Sequence, residues 1–156
     1  MARRSRPPKR QVAPDIRYNN VLVERFINRM MYQGKKSTAQ RAMYDAMELV
    51  EARAQKPALE VFEQAVRNVA PPIEVKPRRV GGSTYQIPVE VPQYRQITLA
   101  IRWLLDAARK RPARGIVEKL AAELIDAAQG VGAAVKKREE ALKMAEANRA
   151  FAHLRW

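Results

Sequence analysis

Cysteine is missing from this 156-residue chain, and histidine occurs once, as His153. The lack of cysteine excludes disulfide bonds, cysteine-based zinc sites and thiol catalysis. A lone histidine leaves most histidine-dependent mechanisms without a base, so we interpret His153 as a structural or surface residue. The composition therefore predicts a protein that is not an enzyme and holds no cofactor and no metal, in a compartment compatible with the reducing cytoplasm.

Long apolar runs are also missing. The longest stretches, such as 99–101 and 121–125, are interrupted by charges and fall far short of the roughly 18 apolar residues of a transmembrane helix. The basic N-terminus resembles the start of a signal peptide, but no apolar segment follows it. The sequence therefore predicts neither a membrane protein nor a secreted one.

Acidic residues are few beside the basic ones, with 16 Asp and Glu against 30 Lys and Arg, for a formal charge of +14. The hydrophobic share of 47% is enough to close a core, and the length fits one domain. The excess positive charge indicates a polyanionic partner. Arginine outnumbers lysine by 20 to 10, which favours nucleic acid, because guanidinium groups bind phosphate in a planar fork and stack on bases.

The chain divides by composition into a basic arm, residues 1–14, and a domain, residues 15–156. The arm has three prolines and no acidic residue, so we predict that it is disordered when free and binds nucleic acid. In the domain, apolar residues recur every three or four positions, which predicts six helices. They span about 20–33, 37–56, 57–69, 93–109, 116–130 and from about 135 onwards.

Local signals support these helices. Asn20 is predicted to cap the first helix, Ser37 and Gln40 have the spacing of a capping box, and Pro57 suits the first turn of the third helix. Tyr94 is assigned to the buried face of the fourth helix, and Met144 is assigned to the core of the last.

Between residues 71 and 92 the apolar period changes from helical to two. Gly81 and Gly82 lie at the centre of this segment, so it is predicted to be a β-hairpin with a glycine turn. Pro77 and Pro88 cannot donate to a ladder, which predicts a lone, protruding pair of strands. The expected fold is mainly α, with one hairpin arm.

The basic residues of the domain are dispersed over several elements rather than gathered on one. Arg95, Arg102 and Arg109, spaced by seven, form a line along the fourth helix that drifts by only about 20° per step. Dispersed clusters suit an irregular folded RNA better than a regular duplex. The predicted RNA contacts are Arg3, Arg4, Arg6, Lys9, Arg10, Lys35, Lys36, Lys76, Arg78, Arg79, Arg95, Arg102, Arg109, Arg111, Arg114, Lys136 and Lys137.

Three segments resemble the bacterial small-subunit ribosomal protein seven family. They are residues 15–36, with Gly34-Lys35-Lys36 at the end, the run Arg78-Arg79-Val80-Gly81-Gly82-Ser83-Thr84-Tyr85 continuing to Val91, and Met144 to Phe151. Together they extend the resemblance over essentially the whole chain. The resemblance implies a body of about six helices with an extended hairpin arm.

The same resemblance implies the function. Family members bind the three-prime major domain of small-subunit rRNA, nucleate assembly of the subunit head, and lie near the exit site for tRNA and the mRNA path. Their hairpin approaches exit-site tRNA and neighbouring protein eleven. Carried over by motif, the residues near tRNA are Arg78, Arg79, Gly81, Gly82 and Tyr85. The expected location is the small ribosomal subunit in the cytoplasm.

Two other functions remain open at this stage. A helical DNA-binding or nucleoid-associated protein would need a dimer and a recognition helix, which dispersed basic clusters disfavour. An RNA-modifying enzyme would need a catalytic constellation, which one histidine and no cysteine do not supply.

Overall fold

The computed structural model describes residues 11–154, and the chain divides into two compact units, residues 1–40 and 41–156. The predicted arm lies mostly outside the described residues, because the structure describes nothing before residue 11. In the described range, the mainly α fold with a hairpin is confirmed. Its elements are α1 Val21–Met30, α2 Lys36–Ala54, α3 Ala58–Val69, β1 Ile73–Val80, β2 Ser83–Glu90, α4 Gln93–Lys110, α5 Ile116–Ala128, α6 Ala133–Ala147 and a C-terminal 3-10 helix, Arg149–Leu154.

The start of α1 is fixed by two short polar side chains. The Asp15 carboxylate accepts hydrogen bonds from the backbone N–H groups of Arg17 and Tyr18, both at 3.0 Å, and closes a turn. Asn20 then caps α1, as predicted, because its Oδ1 accepts a bond of 2.7 Å from the N–H of Leu22. The bond from Leu22 satisfies a backbone donor that the helix itself leaves unpaired.

The first helix is shorter than predicted. It ends at Met30 rather than Gln33, because Met31 leaves the helical region, with ψ at 137°, and Gln33 and Gly34 have φ angles of 52° and 73°. A left-handed backbone at two successive residues ends a helix more sharply than the apolar spacing suggests.

The predicted starts of α2 and α3 are each displaced by one residue. Helix α2 begins at Lys36, so Ser37 lies inside its first turn instead of capping it. Pro57 precedes the first helical residue of α3, Ala58. Neither difference alters the buried face of the helix, and Met43, Met47, Phe62 and Val66 are buried as the spacing requires.

The packing of residues 41–156 centres on α3, α4 and α5. Helix α3 packs on α4 and α5, and α4 packs on α5 and α6. Their largest buried side chains are Phe62, Leu104, Leu105, Leu120 and Leu124. Two predicted core residues are exposed instead, Tyr94 by 59% and Met144 by 49%. Tyr94 belongs to the first turn of α4, whereas burial along this helix begins only at Leu99.

The hairpin pairs β1 with β2 in antiparallel register, closed by a two-residue turn between Val80 and Ser83. Gly81 and Gly82 have φ angles of 57° and 90°, the left-handed backbone that two-residue turns of type I′ require. Helix α6 packs against both strands, and the 3-10 helix packs against β2. The hairpin arm is thus anchored at its base, where Ile87 and Val91 are buried.

Candidate nucleic-acid interface

Two arginines stand at the turn end of the hairpin. Arg78 pairs with Tyr85, and Arg79 pairs with Thr84, so both lie within three residues of the glycine turn. Both are exposed. Within residues 11–154, neither guanidinium has an ion-pair or hydrogen-bond partner. Their charges are therefore available to an external anion.

The base of the hairpin carries a small ion cluster around Glu74. Its carboxylate accepts two bonds of 2.9 Å from Arg95 Nε and lies 2.8 Å from Arg95 Nη2 and 3.0 Å from Lys76 Nζ. Burial alone would raise the pKa of Glu74, but the hydrogen bonds from Arg95 and Lys76 lower it below its usual range. The bond to Glu74 likewise raises the pKa of Arg95. This cluster ties β1 to the first turn of α4.

The predicted arginine line on α4 is present, but its three members have different surroundings. Arg95 and Arg102 are exposed, whereas Arg109 is half-buried. Arg95 is held by Glu74, and the guanidinium of Arg102 has no partner among the described residues. The helix therefore presents one oriented and one unpaired guanidinium on its exposed face.

The loop between α4 and α5 uses its first arginine internally. Arg111 Nε donates to Glu123 Oε2 at 2.6 Å, and its Nη2 pairs with Asp126. Burial alone would lower the pKa of Arg111, but the bonds to Asp126 and Glu123 raise it. Glu123 is fully buried, and its other oxygen accepts the N–H of Ala134 at 3.0 Å, which caps α6. Arg111 thus neutralises a buried acid.

The remaining predicted lysines and arginines that the structure describes lie on the surface. Lys35 and Lys36 belong to the unit that ends at residue 40, where Lys36 pairs with Glu24. In the other unit, Arg114, Lys136 and Lys137 are exposed, and Lys137 lies 3.4 Å from Glu140. Arg3, Arg4, Arg6, Lys9 and Arg10 lie outside the described residues. The described residues also bring together no group of three or more His, Asp or Glu side chains that could hold a metal ion.

The aromatic ring of Tyr85 faces the C-terminal segment. The ring centroids of Tyr85 and Phe151 are 5.2 Å apart at an angle of 51°, within the range that favours aromatic pairs. Tyr85 is half-buried as a result, so it has a packing partner within the protein at the position predicted to lie near tRNA. The 3-10 helix that carries Phe151 had no predicted role.

Sequence reasoning missed two features of this surface. It placed Tyr94 in the core. In the structure the buried residues of α4 begin only at Leu99, so the Tyr94 ring is exposed, next to Arg95 in sequence. Sequence reasoning also gave no sign that Arg138, which directly follows the exposed Lys136 and Lys137, packs inward, where its Nη1 donates to the carbonyl of Asn68 at 2.6 Å. Charge alone does not separate an arginine that packs inward from one that faces solvent.

The fold and its exposed arginines define a basic, mainly α-helical protein with a β-hairpin arm. The sequence profile described as Ribosomal protein S7p/S5e matches residues 2–149. The chain is 57% identical over its full length to the small ribosomal subunit protein uS7 of Methylorubrum populi, which it also covers fully. It is 56% identical over the full length of both chains to uS7 of Dehalococcoides mccartyi, and 55% identical to uS7 of Chloroflexus aurantiacus over 98% of each chain.

The chain belongs to the ribosomal protein S7p/S5e family. The resemblance found in the three sequence segments is thereby confirmed, and the protein is a structural component of the small ribosomal subunit, not an enzyme. None of the helices in the described part of the chain combines the length and apolar composition that crossing a bilayer requires.

Proposed function

We propose that this protein binds the three-prime major domain of small-subunit rRNA in the cytoplasm and nucleates assembly of the subunit head. The observation that carries the proposal is the set of exposed guanidinium groups of Arg102, on α4, and of Arg78 and Arg79, at the hairpin turn, which have no partner among the described residues. Such groups neutralise phosphates and stack on bases, the two contacts that dominate recognition of folded RNA. Family membership supports the same partner.

The binding test is a titration of a three-prime-domain rRNA fragment over a range of salt concentrations. Six to ten phosphate contacts predict an affinity that falls by about 10³–10⁵ between 50 and 200 mM salt. Duplex DNA of equal length serves as competitor, because a DNA-binding protein would prefer it. A flat dependence on salt, or a preference for the duplex, would reject the proposal.

A matched pair of charge reversals tests where the RNA lies. Arg102→Glu should weaken rRNA binding far more than Arg53→Glu, because a reversed charge between Arg95 and Arg109 repels phosphate as well as losing a contact. Both arginines are exposed helical residues, and a native circular-dichroism spectrum for each variant excludes unfolding as the cause. Equal losses would mean that α4 has no special part in binding.

We further propose that the hairpin turn approaches exit-site tRNA and protein eleven, near the mRNA path. The position of two residues supports this proposal: Arg78 and Arg79 lie at the turn end of the hairpin, whose base packs against α6. Replacing residues 76–84 by a short Gly-Ser turn removes Arg78 and Arg79 but keeps every basic residue of the helices. The shortened protein should therefore still enter subunits, while exit-site tRNA occupancy on purified ribosomes changes. Unchanged occupancy with full incorporation would contradict the tRNA contact, and failed incorporation would place the turn inside the primary rRNA site.

A further inference from the structure

An exposed aromatic ring lies at the start of the arginine-bearing helix. Tyr94 is 59% exposed in the first turn of α4, directly before Arg95 and two turns before Arg102. At 100° per residue, positions 94, 98 and 102 follow one another along the same exposed side of the helix. Thr98 and Arg102 are exposed as well. The ring therefore borders the cationic surface rather than the core.

The neighbouring arginine is held in a fixed plane. Arg95 makes its bonds to Glu74 through Nε and Nη2, which lie on one edge of the guanidinium. The Arg95 side chain is still 44% exposed. A planar cation oriented by a carboxylate, beside an exposed ring, presents flat surfaces with little mobility.

Flat surfaces of this kind are what unpaired bases bind. Bases that leave a helical stack in folded RNA are recognised by stacking on aromatic rings and guanidinium planes, while nearby cations hold the phosphates. We infer that Tyr94 stacks on an unpaired base of the RNA that α4 binds. This inference rests on the proposed rRNA-binding function. It names the contact that would fix the position of α4 along the RNA.

The test compares Tyr94→Ala, Tyr94→Phe and Arg102→Ala in the full-length protein, with the same three-prime-domain rRNA fragment. Stacking predicts that Tyr94→Ala weakens binding about fivefold to a hundredfold without changing the dependence on salt. Tyr94→Phe should bind within about twofold of the unaltered protein, because the ring is kept. Arg102→Ala should lower the salt slope by about one unit. Met144→Ala, which shortens another exposed apolar side chain, on α6, is the control.

Base-specific chemical probing locates the contact. With bound protein, one unpaired nucleotide should be protected, and Tyr94→Ala alone among the Tyr94 variants should restore its reactivity. If Tyr94→Ala binds like the unaltered protein while Arg102→Ala weakens binding, the stacking inference is wrong and the rRNA-binding function stands. If Tyr94→Phe loses as much affinity as Tyr94→Ala, the hydroxyl carries the contact and stacking is likewise rejected. If the unaltered protein shows no salt-dependent affinity, the function itself fails.

Discussion

The bundle of α3, α4 and α5 and the hairpin of β1 and β2 belong to the same unit but are held by different kinds of contact. In the bundle, large apolar side chains such as Phe62 and Leu104 are fully buried. In the strands of the hairpin, Ile87 is fully buried and Tyr85 only half-buried, and the turn end carries Arg78 and Arg79 with no internal partners among the described residues. The bundle therefore provides most of the stability, and the hairpin holds its two turn arginines away from the bundle.

The largest expected effect comes from opening a cavity in the bundle. Leu104→Ala should lower the free energy of unfolding by about 2–5 kcal/mol through lost burial and the cavity left behind. Replacing residues 76–84 of the hairpin by a Gly-Ser turn should change it by less than about 0.5 kcal/mol, as for most surface changes. Chemical denaturation of both variants measures the contrast, and similar losses would contradict this division between bundle and hairpin.

A somewhat smaller effect is expected at the loop that joins α4 to α5. Arg111→Met leaves the fully buried Glu123 without its cation and should cost about 3 kcal/mol. Adding Glu123→Gln should restore part of this loss, because a neutral amide needs no counter-charge. Arg114→Met in the same loop is the control and should be nearly neutral, since Arg114 is exposed. Equal stability of the two arginine variants would show that Arg111 does not stabilise the fold.

The contact between Tyr85 and Phe151 tests how far the hairpin depends on the C-terminal segment. A double-mutant cycle with Tyr85→Ala and Phe151→Ala should give a coupling of about 0.5–1.5 kcal/mol. Hydrogen exchange in residues 73–90 should speed up in either single variant and stay unchanged in Met144→Ala. Additive single effects would mean that the ring contact does not hold the arm.

The smallest effect is expected at Glu74, and it depends on pH. Its pKa is lowered in the folded protein, so its stabilising contribution is present above its unfolded pKa of about 4.3. That contribution is lost as the pH falls through the lower folded value. At pH 7, Glu74→Gln should destabilise by about 0.2–1 kcal/mol, and the difference from the unaltered protein should vanish in acid. A difference that does not shrink as the pH falls would contradict the ion cluster.

The order and type of the helices and strands were predictable because they depend on the spacing of apolar residues, which can be read directly from the sequence. The change from a helical period to a period of two located the hairpin, and the Gly81-Gly82 pair located its turn. The sequence did not predict which polar side chains are exposed and which pair with groups inside the protein. Arg102 and Arg111 look alike in sequence, yet one is exposed and the other neutralises Glu123, because that acid is brought near by the packing of α5 on α4. The end of α1 was misjudged for a related reason, since apolar spacing gives no sign of a left-handed backbone at Gln33.

The two prolines of the hairpin have a consequence for the protein before it meets its partners. Because the turn closes at Val80 and Ser83, hydrogen-bonded pairs occur at every second position, and Pro77, opposite Gln86, and Pro88, opposite Val75, fall between them. The backbone nitrogen of each proline therefore faces the outer edge of the hairpin. No hydrogen bond between β1 and β2 is lost, but each outer edge lacks one N–H donor. A strand from a second copy cannot pair fully along such an edge. The prolines thus discourage newly made chains from aggregating arm to arm.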